Sequence, residues 1–310
     1  MRALVLGGNG FIGTHLVDAL LAEGARVRVF DRLPERYRPP LPGIDIVQGD
    51  WGDSSALAEA LADVDTVFHL ISTTVPGTSN LDPIGDIQGN LINTVRLLEL
   101  MRTMGVRSLV YLSSGGTVYG IPECDPVPEE HPLRPISSYG IVKVAIENYL
   151  SMEARLHGLK PVILRASNPY GPRQGHGGVQ GVIGTFLWKI AQGEPIQLWG
   201  DGSIVRDFIH VRDLARLCIT VASKGVTGYF NAGSGQGYSI AEIITAINEV
   251  IGETVEPIRK PGRVFDVPRV VLDIGKVRQA TGWGPEIRLE DGLRETWEWV
   301  CGQRRSSGQF

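Results

Sequence analysis

Tyr139 and Lys143 stand four residues apart in SSYGIVK (137–143). On a helix, that spacing sets both side chains on one face, one turn from each other. A phenol with a pKa of about 10 is a poor base at neutral pH, and an ammonium beside it favours the phenolate. The pair is therefore a candidate acid and base for a hydroxyl proton. Far upstream, GGNGFIG places glycines at 7, 10 and 13. Between a strand and a helix, the first permits a tight turn, the second lets backbone N–H groups approach a pyrophosphate, and the third lets helix pack close to strand. Asp31 falls where a carboxylate would accept hydrogen bonds from an adenosine ribose, which favours NAD over NADP. Arg32 argues the other way, because an arginine there can accommodate a 2'-phosphate. Asp50 either caps a turn or touches the adenine. Each motif is weak alone; a dinucleotide turn and a tyrosine–lysine pair in one chain strengthen each other.

These residues need a scaffold that brings strand ends together. Apolar runs rich in Val, Ile and Leu occur at 3–6, 27–30, 44–47, 66–70, 109–112 and 162–164. Continuous hydrophobicity suits strands buried on both faces of a parallel sheet. Helices fit between them at 11–23, 54–61, 84–104 and 138–157. The alternation predicts an α/β fold, a Rossmann-type doubly wound parallel sheet. The dinucleotide-binding domain is expected over 1–168, with segments within 205–235 returning to it. Residues 169–310 are expected to form mostly a smaller mixed α/β lobe that binds substrate. It would hold a glycine-rich loop at 171–184, a helix to about 192, strands near 196 and 208, and helices at 211–222, 239–251, 274–281 and 289–300. The polar tail 303–310 is expected to be disordered.

Composition narrows the function classes. The 30 basic and 34 acidic side chains give a net charge of -4, which offers nothing to nucleic acid or an anionic membrane. Cys124, Cys218 and Cys301 lie far apart, in no pattern of a disulfide framework or zinc site. The first apolar stretch is too short for a signal peptide, and no run approaches the roughly 18 apolar residues of a membrane span, so a cytoplasmic protein with free thiols is expected. Of 310 residues, 39 are glycine, well above the usual share of about 7%, so many turns are tight or lie close to a ligand.

The motifs continue along the chain as FHL (68–70), NLINT (90–94), SSGGTVYG (113–120), RASNPYGPRQ (165–174), GDGSIVRDFIHVRD (200–213), FNAGSG (230–235) and GW (282–283). With GGNGFIG and YGIVK, they make the sequence resemble the extended short-chain dehydrogenase/reductases. Within these it is similar to the nucleotide-sugar epimerases and dehydratases, of the UDP-glucose 4-epimerase type. The resemblance implies a Rossmann lobe holding NAD and a C-terminal lobe holding a nucleoside-diphosphate sugar. It implies cofactor contacts at Gly7, Gly10, Phe11, Ile12, Gly13, Asp31, Arg32, Asp50, Leu70, Asn90, Tyr139 and Lys143. Tyr139 would exchange a proton with the sugar 4-hydroxyl while C4 gives hydride to NAD+, and Lys143 would also hold the nicotinamide ribose. Asn168, Arg173, Arg206 and Arg263 are implied on the substrate side, the last two clamping the diphosphate, where guanidinium forks suit phosphate oxygens. A surface pair with Asp207 or Asp201 is the alternative for Arg206.

The same likeness bears on the reaction. Many relatives carry a hydroxyl at the position of Gly115, which has none. Thr117 could point the same way if the stretch is extended, and Ser114 is the other candidate. Dehydratase relatives place an Asp–Glu pair at the positions of Gly116 and Thr117, and decarboxylases a Glu at the latter; this chain has neither carboxylate. What remains is hydride transfer with rotation of a 4-keto intermediate, hence C4 epimerisation. Counting from Arg263, the likeness implies that Val270 matches the residue beneath the sugar's N-acetyl position in galactose-type epimerases, where a valine is smaller than the tyrosine that excludes that group. UDP is the expected nucleotide on family frequency.

Two other functions compete: an NAD-dependent dehydrogenase or reductase releasing its product, and a non-catalytic NAD-binding protein. No metal-spaced histidine pair, GxSxG elbow or P-loop occurs in the sequence. No metal is expected, and His69 and His210 read as core residues in strands. Helices 84–104 and 138–157 carry Leu97, Leu100, Ile146 and Leu150, and the resemblance implies a homodimer through them.

Overall fold

The computed structural model describes residues 1–39, 41–175, 181–262 and 267–306, with side chains as far as Arg304. The apolar runs of the first half lie side by side as parallel strands β1 (Arg2–Leu6), β2 (Arg26–Asp31), β3 (Asp45–Gln48), β4 (Thr66–His69), β5 (Ser108–Ser114) and β6 (Lys160–Ala166). Both faces are covered. Val5, Val27 and Phe68 pack with Leu16 of α1 (Phe11–Ala22) on one side. On the other, Leu4, Phe30, Val67 and Leu109 meet α2 (Ser54–Leu61), α4 (Asn93–Thr103) and α5 (Ser138–His157). This is why β1 reads as unbroken hydrophobicity.

Helix 84–104 is not one regular helix. A short α3 (Pro83–Asp86) leads into a π-helical stretch, Ile87–Ile92, and only then into α4. The wider turn accompanies an inward-facing Asn90, whose side chain bonds back to Asp86 and across to Thr73. Helix α5 is bounded as its sequence predicts. Ser137 caps it by accepting from Gly140 N, and Gly158 ends it at φ +71°.

The second half contributes β7 (Asn168–Tyr170), α6 (Val182–Ala191), β8 (Gln197–Trp199), β9 (Val205–His210), α7 (Val211–Lys224), β10 (Gly228–Ala232), β11 (Gly237–Ser239), α8 (Ile240–Ile251), β12 (Ile258–Lys260), β13 (Arg269–Val270), α9 (Gly275–Thr281) and α10 (Leu289–Ser306). Two of these return to the first sheet. β10 pairs in parallel with β6, giving the order β10-β6-β5-β4-β1-β2-β3, and α7 buries Leu214 and Cys218 in the core beneath α1. Around β9 a small sheet gathers β7, β11 and β13, and β8 pairs with β12. The tail expectation is corrected in part. Residues 303–306 continue α10, and 307–310 lie outside the described residues.

One polar cluster lies inside this apolar frame. Arg165 of β6 and Glu147 of α5, 3% and 1% exposed, form a two-pronged ion pair, the shortest contact 2.7 Å. Arg165 also donates to Tyr119 Oη and Glu129 O, and Ser113 Oγ donates to Glu147 at 2.6 Å. Removing one partner of such a pair leaves a buried charge alone. Glu147→Ala is expected to lower the unfolding free energy by about 3–5 kcal/mol. Arg134→Ala, which breaks an exposed contact with Glu123, should cost less than about 1 kcal/mol in the same urea titration.

Candidate active site

In this strand order the chain reverses direction of winding between β1 and β4, and ligands of such sheets bind at the carboxyl ends beside that point. The glycine turn lies there. Gly7 has φ +81°, and a Cβ on Gly13 would come within 2.1 Å of Gly7 O, so helix and turn touch backbone to backbone. Gly8, outside the motif as read, is as constrained, since its Cβ would meet Val29 at 2.8 Å. The cap of α1 is Gly10, which offers no side chain, so the first N–H groups at Phe11, Ile12 and Gly13 keep their donors for an external acceptor. That cradle, which a Cβ would fill, fits a dinucleotide pyrophosphate.

Asp31 ends β2 and accepts from Asn9 N at 3.0 Å and Leu33 N at 3.1 Å, which fixes its carboxylate at the edge of a cavity of about 210 Å³. Arg32 is exposed, its carbonyl held by Gln48. Asp50 accepts from Gly52 N at 2.8 Å, the turn-capping alternative. Leu70 extends β4 by donating to Leu6 O. Asn90 does not point its amide outward. It accepts from Thr73 N and donates to Thr74 Oγ1 and Asp86 Oδ1, so it braces the loop that follows β4.

Tyr139 and Lys143 share one face of α5. Lys143 is buried, donates to Leu112 O at 2.9 Å, and sits 4.8 Å from the Tyr111 ring centre and 5.4 Å from that of Tyr139. Burial pulls its ammonium down to about 8, against the opposing charges of Glu147 and Asp86. Burial pushes the Tyr139 phenol up to about 12; a hydrogen bond with Ser72 works against this and the Asp86 charge adds to it. This corrects the expectation of a phenol lowered by its lysine. The ammonium lies over the ring and is committed to a carbonyl, while a carboxylate lies nearby.

The backbone of Thr117 lies against Gly140, whose Cβ would fall 2.8 Å from Thr117 O, and this sets Thr117 beside the start of α5. Its Oγ1 is buried without a hydrogen-bond partner. The stretch is not extended, however. Thr117 N donates to Ser114 O at 3.2 Å and the chain turns directly after β5, so strand alternation does not relate Thr117 to Gly115. Ser114 is the half-buried last residue of β5. The missing hydroxyl at Gly115 has a steric cause. A Cβ there would sit 2.5 Å from Leu272 Cδ1 and 2.9 Å from Arg165 O.

In the second half of the chain, Asn168 and Arg206 line a cavity of about 400 Å³ with Phe186, Lys189, Trp199 and Phe208. Asn168 Nδ2 donates to Asp207 O at 2.8 Å, and Arg206 Nη1 to Val205 O at 2.8 Å. Asp207, the proposed alternative partner, accepts instead from Ser234, Gly235 and Leu272, and Asp201 accepts from Ser203. Val270 is level with Arg206 in the small sheet and packs with Val118 and Leu272. Arg173 is not brought to this cavity; at φ +66° it donates to Asp18 of α1 at 2.6 Å. Arg263 lies outside the described residues. His69 and His210 are buried in strands, as expected. Ser72, Asp86, Glu147 and Leu272 were not legible as site neighbours, although Glu147 continues the four-residue spacing of Tyr139 and Lys143.

The NAD dependent epimerase/dehydratase family matches this chain over residues 3–233. A putative UDP-glucose 4-epimerase of Methanocaldococcus jannaschii is 36% identical over 306 residues, 98% of this chain and 99% of that protein. The crystal structure of a UDP-glucose 4-epimerase from Thermotoga maritima with UDP-glucose is 35% identical and matches with a TM-score of 0.93, over 98% of this chain and 99% of the other. A UDP-glucose 4-epimerase from Thermus thermophilus in complex with NAD is also 35% identical, with a TM-score of 0.90 over 97% and 99% of the two chains.

The contact at Gly115 is testable. Gly115→Ser is expected to destabilise the protein by about 1–3 kcal/mol through overpacking. Combining it with Leu272→Ala should cost less than the sum of the two single changes, a favourable coupling read in a double-mutant cycle of denaturation midpoints. Additive losses would mean that Leu272 does not set this residue.

Proposed function

The chain belongs to the NAD dependent epimerase/dehydratase family, and on that premise we propose that it is an NAD-dependent UDP-sugar 4-epimerase, inverting C4 through a transient 4-keto sugar. The reading is supported by the glycine turn at the carboxyl end of β1, the Tyr139–Lys143 pair on one face of α5 and the buried, unpartnered hydroxyl of Thr117 beside the start of that helix, with no carboxylate at 115–117.

Bound NAD supplies the hydride acceptor and donor. The turn at Gly7, Gly10 and Gly13, with the N–H groups of Phe11 and Ile12, would hold its pyrophosphate, and Asp31 its adenosine ribose. Tyr139 takes the proton of the sugar 4-hydroxyl when C4 is oxidised and returns it when C4 is reduced from the opposite face. Lys143, its ammonium 5.4 Å from the Tyr139 ring centre, sets a positive charge beside the phenolate and would also hold the nicotinamide ribose. Thr117 donates to the sugar oxygen, the role that Gly115 cannot fill; Ser114 is the second candidate. Asn168 and Arg206, with Arg263, bind the diphosphate by charge-assisted bonds. Val270 leaves room for an N-acetyl group.

The active unit is a cytoplasmic homodimer in this reading. Cys124, Cys218 and Cys301 are free thiols, and no helix among the described residues is long and apolar enough to cross a membrane. Leu97, Ile146 and Leu150, expected on the dimer face, are instead buried in the protomer's own core, with Leu100 packed against them; the exposed apolar residues of these segments are Ile84, Ile87 and Ile92 of 84–92 and Ile141 and Leu156 of α5, all more than 40% exposed. Burying such residues is the expected use of this face, and sedimentation velocity checks it.

Incubation with NAD+ and, separately, UDP-glucose, UDP-N-acetylglucosamine and UDP-glucuronate should yield a C4 epimer by NMR of the anomeric protons, without net NADH at 340 nm. Accumulating NADH would instead identify a dehydrogenase, and silence in both channels a different sugar nucleotide or a non-catalytic binder. Tyr139→Phe is expected to lower turnover by about 10² or more while NAD still binds. In the wild type, kcat/KM should rise with pH and level off near 8, because the gain in Tyr139 phenolate is cancelled above that point by loss of the Lys143 ammonium.

A further inference from the structure

Residues 172–174 join the cofactor helix to the walls of the cavity of about 400 Å³. On one side they are bonded to α1. His15 Nε2, buried in a ring kept neutral by that burial, donates to Pro172 O at 2.9 Å. One turn along the helix, Asp18 Oδ2 accepts from Arg173 Nη1 at 2.6 Å. Asp18 Oδ1 is paired with Arg38, which also donates to Glu35, so both carboxylate oxygens are engaged. On the other side, Gln174 O accepts from Trp188 Nε1 of α6 at 2.9 Å, and Gln174 Nε2 donates to Pro169 O at 3.3 Å. The same amide lies against the first turn of α6, where a Cβ on Gly184 would fall 2.6 Å from its Oε1. Val182, Thr185, Phe186 and Lys189 of α6 line the cavity, and Asn168, next to Pro169, lines it from β7. Gln174 therefore touches both walls, and the two residues before it fix it to the helix whose first N–H groups form the pyrophosphate cradle.

Arg173 is held at φ +66°, a backbone conformation that a residue other than glycine adopts at a cost. Such conformations persist where the surroundings over-determine them, and they gather at ligand clamps and active sites. The pair with Asp18 is partly exposed, 21% for the arginine side chain and 36% for the carboxylate, and pairs of that kind add little to stability. Its effect is geometric. It turns residue 173 toward α1 and so sets where Gln174, and with it the start of α6, lies. We propose that Arg173 is a positioning residue for the sugar nucleotide, acting through Gln174 and α6 without touching the ligand, and that Asp18 is its counterpart on the cofactor helix. The inference rests on the reading above that the cavity of Asn168 and Arg206 takes the nucleoside diphosphate. One helix then serves both ligands, holding the cofactor at its first turn and the walls of the substrate cavity from its second.

The probe is UDP, titrated calorimetrically into full-length protein loaded with NAD+. Arg173→Gly accepts the left-handed backbone and removes only the side chain. It should weaken UDP binding about fivefold, the scale of leaving one or two side chains to be ordered on binding. Asp18→Asn should weaken UDP by a similar factor, and the double variant no further than either single one, because both report one contact. Charge acting at a distance predicts the reverse for Asp18→Asn, since removing a carboxylate favours an anionic ligand. In turnover of a UDP-sugar, both variants should raise KM about fivefold with kcat and the affinity for NAD+ within about twofold of wild type. Arg173→Lys, which keeps a cation for Asp18, should recover more than half of the loss. Unchanged UDP affinity in Arg173→Gly would overturn the proposal, as would tighter binding in Asp18→Asn. A fall of kcat and NAD+ affinity together with UDP affinity, the pattern of a general loosening, would overturn it too. Should Arg173→Gly fail to fold, Asp18→Asn and Arg173→Lys carry the same comparison. A wild type that binds no UDP would sink the nucleotide-sugar reading and the proposal with it, whereas a wild type that binds UDP no better than the variants would overturn the proposal alone.

Discussion

The buried pair of Arg165 and Glu147 is the constraint on which the reacting end depends. Two charges removed from water are tolerated because every arm of the guanidinium and both carboxylate oxygens find partners, and because Tyr119 and Tyr229 flank the cation. The pair and its partners come from β5, β6, β10, α5 and the chain that follows β5. Tyr119 in turn donates to Asn231 of β10, which accepts through the same side chain that donates to Val127 O and Asp273 O. The rotation of α5 about its axis is thereby set one turn beyond Lys143. An error in that rotation would carry the start of α5 away from Thr117 and from Ser79, which holds Tyr139 N.

Much of the frame was legible because its cause is local. Parallel strands covered on both faces must be continuously apolar, so β1, β4 and β5 stand out. Helix α5 begins at a serine cap and ends at a glycine in left-handed geometry, and both signals are visible in SSYG and HG. The glycines at 7, 10 and 13 are specific because each answers a separate steric demand. The returning segments were also readable in outline, since α7 and β10 carry enough apolar residues to need a covered face.

What escaped the sequence was decided by residues far along the chain. Strand alternation would have made Thr117 the stand-in for Gly115, but the chain turns at Ser114. The space at Gly115 is taken by Leu272, more than a hundred and fifty positions away. The phenol was expected to be lowered by Lys143. Burial and Asp86 reverse that sign, and Asp86 gives no local cue because its partners come from a loop and a neighbouring helix. Arg173 sits in a strongly matching motif yet reaches back to Asp18, since its positive φ turns it toward α1.

The return of β10 to the sheet bears on how the protein is made. β6 has β5 on one side, but its other edge stays open until residues 228–232 leave the ribosome. Asn231, the acceptor for Tyr119, arrives with them. During synthesis the nascent first half therefore exposes an apolar, unpaired strand next to an unfinished polar core, a condition that invites pairing with other chains. Vectorial completion of the last parallel strand is thus the event that both seals the sheet edge and finishes the hydrogen-bonded network beneath α5.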